Sequence, residues 1–432
     1  MEDIRLIAEK TKKALLDAGA QKAQLTVSET ETHEFNVDGG EFSLFRTLFD
    51  RGLAITAYKD NKKGSIAVNR LDDDSIRNAA RDCIMSAESS IADEAFDISP
   101  KQEKQVFRTG AYEPVIDLFF ERTRELMRQI KERHPKILME QMIVNHKKIH
   151  TVYQNTNGTE FETFKGAYSV SLMYSGHEGD HTTSFFSSDI YTDRLDKPFI
   201  ELGSVEKDLA DTEAQLHVTE LSGKFEGSII LTPSSLGSFL GSIISNFAAD
   251  GVILEKTSIW LEKLGQQVAD SRISISICPE DSRIVGGEHY TADGFRSESF
   301  DLIRNGILES FFLSLYVSNK SGFPRAKSTS FSVVIEGGDT SYEDIIKNTK
   351  KGLIVGRFSG GQPGTNGDFS GVAKNSFLVE DGQIKGAVSE TMINGNLAEL
   401  LNNLNSISRE TVEDGYSVLP YMAFDKVVIS GK

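Results

Sequence analysis

The sequence predicts an α+β protein of more than one domain, and three observations carry that reading. In the first half, amphipathic helical stretches alternate with runs of β-branched and aromatic residues. From Gly227 onward the pattern becomes short strands punctuated by glycine, interrupted by one apolar stretch with helical spacing, Ser234 to Gly251. At 432 residues the chain exceeds what one ordinary hydrophobic core accommodates. The expected division is an N-terminal α+β domain over 1–96, a central α+β domain over 113–220 and a C-terminal domain over 221–432. The first two combine helices with an antiparallel sheet. The third reads as glycine-rich, mostly antiparallel and barrel-like, with the apolar helix inserted.

Element by element, Ile4, Leu6, Ile7, Ala14 and Leu15 recur at helical spacing before Gly19, a suitable stop. Gln24–Val27 and Leu53–Tyr58 read as strands, and Asp72-Asp73-Asp74-Ser75 offers N-cap oxygens to a helix through Ala79 and Cys83. The polar stretch Asp97 to Tyr112 reads as a linker. Glu113-Pro114 then opens a long helix with Val115, Leu118, Phe119, Leu126 and Ile130 on one side, ended by Pro135. Strand-like runs follow at Met142–Val144, His150–Gln154, Ala167–Tyr174 and Thr182–Ile190, with Asn157-Gly158 as a hairpin turn. A further helix leads to Gly223. In the third region Leu236, Phe239, Leu240, Ile243, Ile244 and Phe247 mark a buried helix with Pro233 near its start, and glycine pairs at 286–287, 337–338 and 360–361 suit a strongly curved sheet.

Composition narrows the function classes. With 39% hydrophobic and 26% charged residues, the chain has the balance of a soluble globular protein, and no apolar run reaches bilayer-spanning length. The start Met1-Glu2-Asp3-Ile4-Arg5 is charged and runs directly into a helix, so cytoplasm is the expected compartment and no membrane partner is expected. A net charge of −17, with no Lys/Arg cluster against it, argues against direct nucleic-acid binding. Cys83 and Cys278 lie far apart in apolar settings and read as buried free thiols.

The order and spacing of Gly294, Ile303, Gly306-Ile307-Leu308, Ser359-Gly360-Gly361, Gly367-Asp368-Phe369-Ser370-Gly371, Glu380-Asp381-Gly382 and Gly395-Asn396 resemble the TldD/PmbA family, whose members were also named modulators of DNA gyrase. Arg51-Gly52-Leu53-Ala54, Gly64-Ser65-Ile66-Ala67-Val68 and Asn155-Thr156-Asn157-Gly158 extend the resemblance over nearly the whole chain. The family's peptidase subunit carries H-E-x-x-x-H on the helix matching Ser234 to Gly251, with a cysteine near its C-terminus as a third zinc ligand. Aligning Phe239-Leu240 with the family's paired apolar residues puts Gly241, Ser242 and Asn246 at the three motif positions, and none reproduces the imidazole and carboxylate set. The segment Gly415 to Met422 resembles the ending of the PmbA (TldE) branch and holds no cysteine.

The resemblance therefore implies a subunit without metal of its own. Zinc is expected on a TldD-type partner, the substrate is a small unfolded peptide added as a strand in a cleft, and the assembly is a homo- or hetero-oligomer. Gly360, Gly361, Gly367 and Asp368 are candidates for a loop beside that cleft, since this run lacks the Lys-Ser/Thr ending of a phosphate loop. One competing signal stands in the residues themselves. His177-Glu178-Gly179-Asp180-His181 matches H-E-x-x-H, whose two histidines share a face only on a helix. Gly176 and Gly179 disfavour that helix and the flanking alternation favours a hairpin turn. A self-sufficient zinc peptidase on His177, Glu178 and His181 is thus one alternative, and a homodimeric peptide-binding or assembly protein is another. His146 and His150, around Lys147-Lys148, are read as an exposed polar edge. The run Ile307-Leu308, Phe311-Phe312-Leu313 and Leu315-Tyr316 fits a core strand or a docking surface equally.

Overall fold

A computed structural model describes residues 2–389 and 391–431. Two sheets organise it. The first contains β1 (Lys22–Asp38), β2 (Glu41–Lys59), β3 (Lys62–Val68), β4 (Gln105–Gly110), β5 (Ile137–Asn155), β6 (Glu160–Glu178), β7 (His181–Thr182) and β8 (Phe186–Thr192). Its order is β3-β2-β1-β5-β6-β4, with β7 and β8 also on β6. Three helices cover one face: α1 (Ile4–Asp17) and α2 (Asp73–Glu88) over one end, α3 (Ile116–Arg133) over the other. Asp3 and Asp72 cap the first two helices, each accepting a backbone N–H through its carboxylate.

This sheet crosses the expected division at the linker. β1 pairs along its length with β5, from Gln24 opposite Asn155 to Asp38 opposite Gln141. Residues 1–96 and 113–220 therefore share one layer. The linker itself holds β4, which lies parallel to β6 at the sheet edge. The runs Met142–Val144 and His150–Gln154 are one strand, and Thr182–Ile190 resolves into the short β7 and the separate β8. In α3 the buried face is Phe119, Thr123, Leu126 and Ile130, spaced by one turn, so Val115 and Leu118 fall outside it and are exposed. His146 is on a central strand rather than at an edge, and it is fully buried because Tyr168 and the segment at Ala111 cover it; its Nε2 lies 2.7 Å from the Ala111 carbonyl oxygen. His150 stacks on Phe164 at 4.2 Å and lies 2.7 Å from Glu162.

After α4 (Val205–Ala214) the second sheet begins. It contains β9 (Val218–Glu220), β10 (Lys224–Leu231), β11 (Ile275–Ile277), β12 (Phe300–Arg304), β13 (Ile307–Leu308), β14 (Val333–Val334), β15 (Lys351–Val355) and β16 (Arg357–Gly360). β17 (Asp368–Lys374), β18 (Ser376–Glu380), β19 (Gln383–Ser389), β20 (Thr391–Asn396), β21 (Leu404–Glu413) and β22 (Val418–Ser430) complete it. Most pairings are antiparallel; β10–β15, β14–β22 and β9–β19 are parallel. β22 is the hub, pairing with β10, β14, β20 and β21. The core beneath it takes in Leu308, Phe311 and Leu313, which settles that apolar run as core, with Ile307 alone of these exposed.

The two sheets meet through close backbone approaches. Lys165 on β6 donates to the Gly287 carbonyl at 2.9 Å, and burial pushes its ammonium down to about 8. Tyr191 stacks on Tyr416 at 4.9 Å, and Phe107 on His289 at 4.5 Å. Two glycines mark the tightest points: a Cβ on Gly415 (φ +85°) would lie 1.7 Å from the Tyr191 carbonyl oxygen, and one on Gly294 (φ +80°) 1.9 Å from the Tyr153 hydroxyl oxygen. Gly294→Ala is expected to cost about 2–4 kcal/mol through strain and overlap together, read as a lowered melting temperature with secondary structure retained.

α4 docks beside β8 through Asp208, which accepts hydroxyls from Ser188 at 2.8 Å and Ser204 at 2.7 Å. Burial outweighs these two bonds and pushes its carboxyl up to about 6. Folded protein then holds this proton more tightly than unfolded protein, so its contribution to stability falls as pH rises from about 4 to about 6. Asp208→Asn is expected to remove that slope, a difference on the order of 3 kcal/mol across the window, measurable by denaturant titration at several pH values.

Candidate functional site: a neutral cleft beside a π-turn

The apolar stretch predicted as a helix forms α5 (Pro233–Ile243), followed by a π-helical segment at Ile244–Ala248 and a short α6 (Asp250–Leu254). Thr232 caps α5, its hydroxyl accepting the Ser235 N–H, and Pro233 occupies the first turn where no amide partner is needed. Leu236, Phe239, Leu240 and Ile243 are buried where α5 packs on β10 and β22, and Phe247 of the π segment is buried against Trp260. At about 1.5–3 kcal/mol each, these side chains fix which way the helix faces. The opposite face, with Ser238, Gly241, Ser242, Ser245 and Asn246, lines a cleft of about 510 Å³.

The far wall of that cleft is β16 and the turn after it: Phe358, Ser359, Gly360, Gly361, Gln362 and Pro363. Phe239 and Phe358 meet edge-on at 5.4 Å, and Phe369 of β17 packs against both. The aromatic floor ties the helix to the strand. Of the loop residues expected at a cleft, Gly360 and Gly361 line it, whereas Gly367 and Asp368 anchor the turn behind. A Cβ at Gly367 would lie 2.7 Å from the Phe247 ring, and the Asp368 carboxylate accepts from Asn366 at 2.7 Å and Asn396 at 2.9 Å.

Positions five apart on a straight α-helix point roughly 140° away from each other. The π segment widens the turn and swings Asn246 back toward the face that carries Gly241. This is the spacing of H-E-x-x-x-H, so the helix keeps a backbone suited to that motif while its side chains differ. Gly241 supplies no donor; Ser242 gives its hydroxyl proton to the Ser238 carbonyl at 3.1 Å; Asn246 donates Nδ2 to the Ser242 carbonyl at 2.9 Å. These residues do not fit a catalytic zinc, which takes imidazole, thiolate or carboxylate. Among the described residues no group of three or more His, Cys, Asp or Glu is placed to hold a metal ion. The C-terminal segment that would carry a third ligand does run beneath this helix, with a Leu419 methyl 3.4 Å from the position of a Cβ on Gly237.

The H-E-x-x-H run lies on the other sheet, at the turn between β6 and β7. His177 pairs with Thr182 and Glu178 with His181, so the two histidines project to opposite faces of the hairpin. His177 contacts the Ser175 hydroxyl at 3.0 Å, while Glu178 meets Lys136 at 2.7 Å and His217 at 2.8 Å. Of the two cysteines expected to be buried, Cys83 is, and burial pushes its thiol up to about 11; Cys278 is only half-buried, which still pushes its thiol up. Sequence reasoning missed the π-turn and the serine stripe Ser238, Ser242 and Ser245, whose helical spacing on an apolar segment was the available signal.

Comparisons with known proteins agree with this architecture. Residues 222–431 match the PmbA/TldA metallopeptidase C-terminal domain, and residues 23–87 match the PmbA/TldA metallopeptidase domain 1. The metalloprotease PmbA homolog of Haemophilus influenzae is 26% identical over 94% of this chain and 88% of its own length. Metalloprotease PmbA of Escherichia coli O157:H7 is 24% identical over 98% of this chain and 97% of its own. Among solved structures, TldE from Thermococcus kodakarensis superposes with a TM-score of 0.86 at 20% identity, covering 98% of this chain and all of that one. A modulator of DNA gyrase from Bacteroides thetaiotaomicron gives 0.87 at 21% identity, with both chains fully covered. The fold is thus that of a two-sheet metallopeptidase-type protein. The chain belongs to the PmbA/TldD family.

If the π-turn preserves a ligand-ready backbone, imidazoles placed on it should share an ion. Gly241 has room, since a Cβ there meets only the Phe331 ring at 4.0 Å. The double variant Gly241→His/Asn246→His is expected to bind zinc in a calorimetric titration where the unmodified chain shows no matching binding. Each single variant should bind at least about tenfold more weakly, the equivalent of 1.4 kcal/mol. Equal binding by double and single variants would mean the two positions do not share a face.

Proposed function

We propose that this chain is the non-metal-binding, TldE-like subunit of a cytoplasmic two-chain zinc metallopeptidase that trims small unfolded peptides, with the zinc carried by a TldD-type partner. The observation that carries the proposal is the cleft. Gly241, Ser242 and Asn246 all line it, yet none offers the donor set of a catalytic zinc. Family membership supplies the peptidase context.

The cleft's other wall suits an extended peptide. β16 pairs with β17 alone among the described strands, which leaves its second edge unpaired, and Phe358, Ser359 and Gly360 of that strand line the cleft. A peptide laid along such an edge is held through main-chain hydrogen bonds and tolerates varied sequence. The lining side chains are hydroxyls, amides and aromatic rings, so side-chain charge plays no part in holding it. In this reading the chain shapes and holds substrate while the partner's metal performs hydrolysis.

The test is reconstitution. Purified alone, the chain is expected to carry no stoichiometric zinc by elemental analysis and to leave short unstructured peptides intact; mixed with a TldD-type chain, cleavage should appear. Near one zinc per chain in the isolated protein would overturn the proposal in favour of a self-sufficient enzyme. A partner equally active without this chain would overturn the subunit role.

A further inference from the structure

Gly241 sits inside α5, where glycine is costly relative to alanine, and close packing does not demand it. Beyond its own helix, a Cβ there would find one heavy atom within 4 Å, the ring tip of Phe331 at 4.0 Å. The missing side chain therefore leaves a notch in the cleft wall with Phe331 beside it. Phe331 is 42% exposed, yet the chain on either side of it is tied down. Ser328 is fully buried and its hydroxyl donates to the Glu288 carboxylate at 2.9 Å, as does the Thr329 hydroxyl. Ser332 is buried too, with its hydroxyl 2.8 Å from that of Ser330 and its carbonyl accepting the Cys278 N–H at 2.7 Å. A large apolar ring held open to water on so fixed a segment is a preformed contact surface.

Two further observations say what fills the notch. The helix wall around it asks for no polar partner: Ser238 and Ser242 give their hydroxyl protons to the Ser234 and Ser238 carbonyls, and the described residues lining the cleft include no charged side chain. α5 also lies on the face of β16 and β17 that carries Phe358 and Phe369, since both rings meet Phe239. A strand added to the free edge of β16 turns every second side chain to that face, and so toward the wall that carries Gly241. We propose that Gly241 and Phe331 form a subsite for one large apolar side chain, phenylalanine, tyrosine or leucine, of the peptide laid along β16. Main-chain bonds leave the other positions tolerant, and this one selects. The helix position aligned with the first histidine of H-E-x-x-x-H serves here to admit a side chain instead of holding an ion.

The subsite rests on the reading of the cleft as a peptide site and not on the partner. Its test is fluorescence anisotropy of the full chain alone with two labelled unstructured hexapeptides, alike except that one central residue is Phe or Ser. The Phe peptide is expected to bind at least about tenfold more tightly, as burial of a phenyl ring allows. Phe331→Ser and Gly241→Leu should each bring that ratio to near one, the first by removing the ring and the second by filling the notch with a good helix former. Neither position is tightly packed, so thermal melts should show both variants folded. Equal binding of the two peptides, binding of neither, or a ratio that survives either substitution overturns the inference. Cleavage by the mixed chains without this preference would sink the subsite alone; a preference in the isolated chain without cleavage by the mixture would sink the subunit role alone.

Discussion

The burial of one helix face organises the C-terminal half of this protein. Leu236, Phe239, Leu240 and Ile243 are driven out of water against β10 and β22, and Phe247 against Trp260, and the face they leave outward is the one that lines the cleft. The polar side chains there do not need to hold the helix in place. They are free to be serine, glycine and asparagine, as here, or a metal-binding set, with little change to the fold beneath. The residues that line the cleft and those that hold the fold sit on opposite sides of the same helix, so the former can differ without unsettling the latter.

The same separation explains how a chain only 26% identical to a metalloprotease PmbA homolog keeps its outline. Its fold rests on core periodicity and on glycines where backbones approach closely. Gly294 against Tyr153 and Gly367 against Phe247 admit no Cβ at all. Such positions tie the sheets and the cleft turn to fixed distances, and they account for the glycine order that first suggested the family.

Much of this was legible in sequence for physical reasons. The apolar repeat of α5 gives helix and buried face together, Asn157-Gly158 marks the β5–β6 turn, and Gly179 within the H-E-x-x-H run, with Gly176 just before it, disfavours the helix that motif requires. What stayed hidden depends on partners remote in sequence. β4 is a short, half-polar strand that exists only because β6 offers it an edge. His146 is buried because Tyr168 of β6 and the remote segment at Ala111 cover it, which nothing near residue 146 announces. The π-turn is a choice among hydrogen-bond registers separated by small energies, and side-chain periodicity does not report it.

β22 carries a consequence for synthesis. It lies at Val418–Ser430 and joins β10, β14, β20 and β21, strands spread over some two hundred residues upstream. The first sheet needs nothing beyond Thr192 to complete its pairings. On a ribosome, where earlier regions fold first, that sheet can form while the remainder is still being made. Hairpins of the second sheet such as β12–β13, β16–β17 and β18–β19 can pair earlier, but β10, β14, β20 and β21 wait for the hub that joins them into one layer, with an apolar helix among them. During that interval the nascent chain depends on speed of elongation, or on chaperones, to keep α5 from finding the wrong surface to bury.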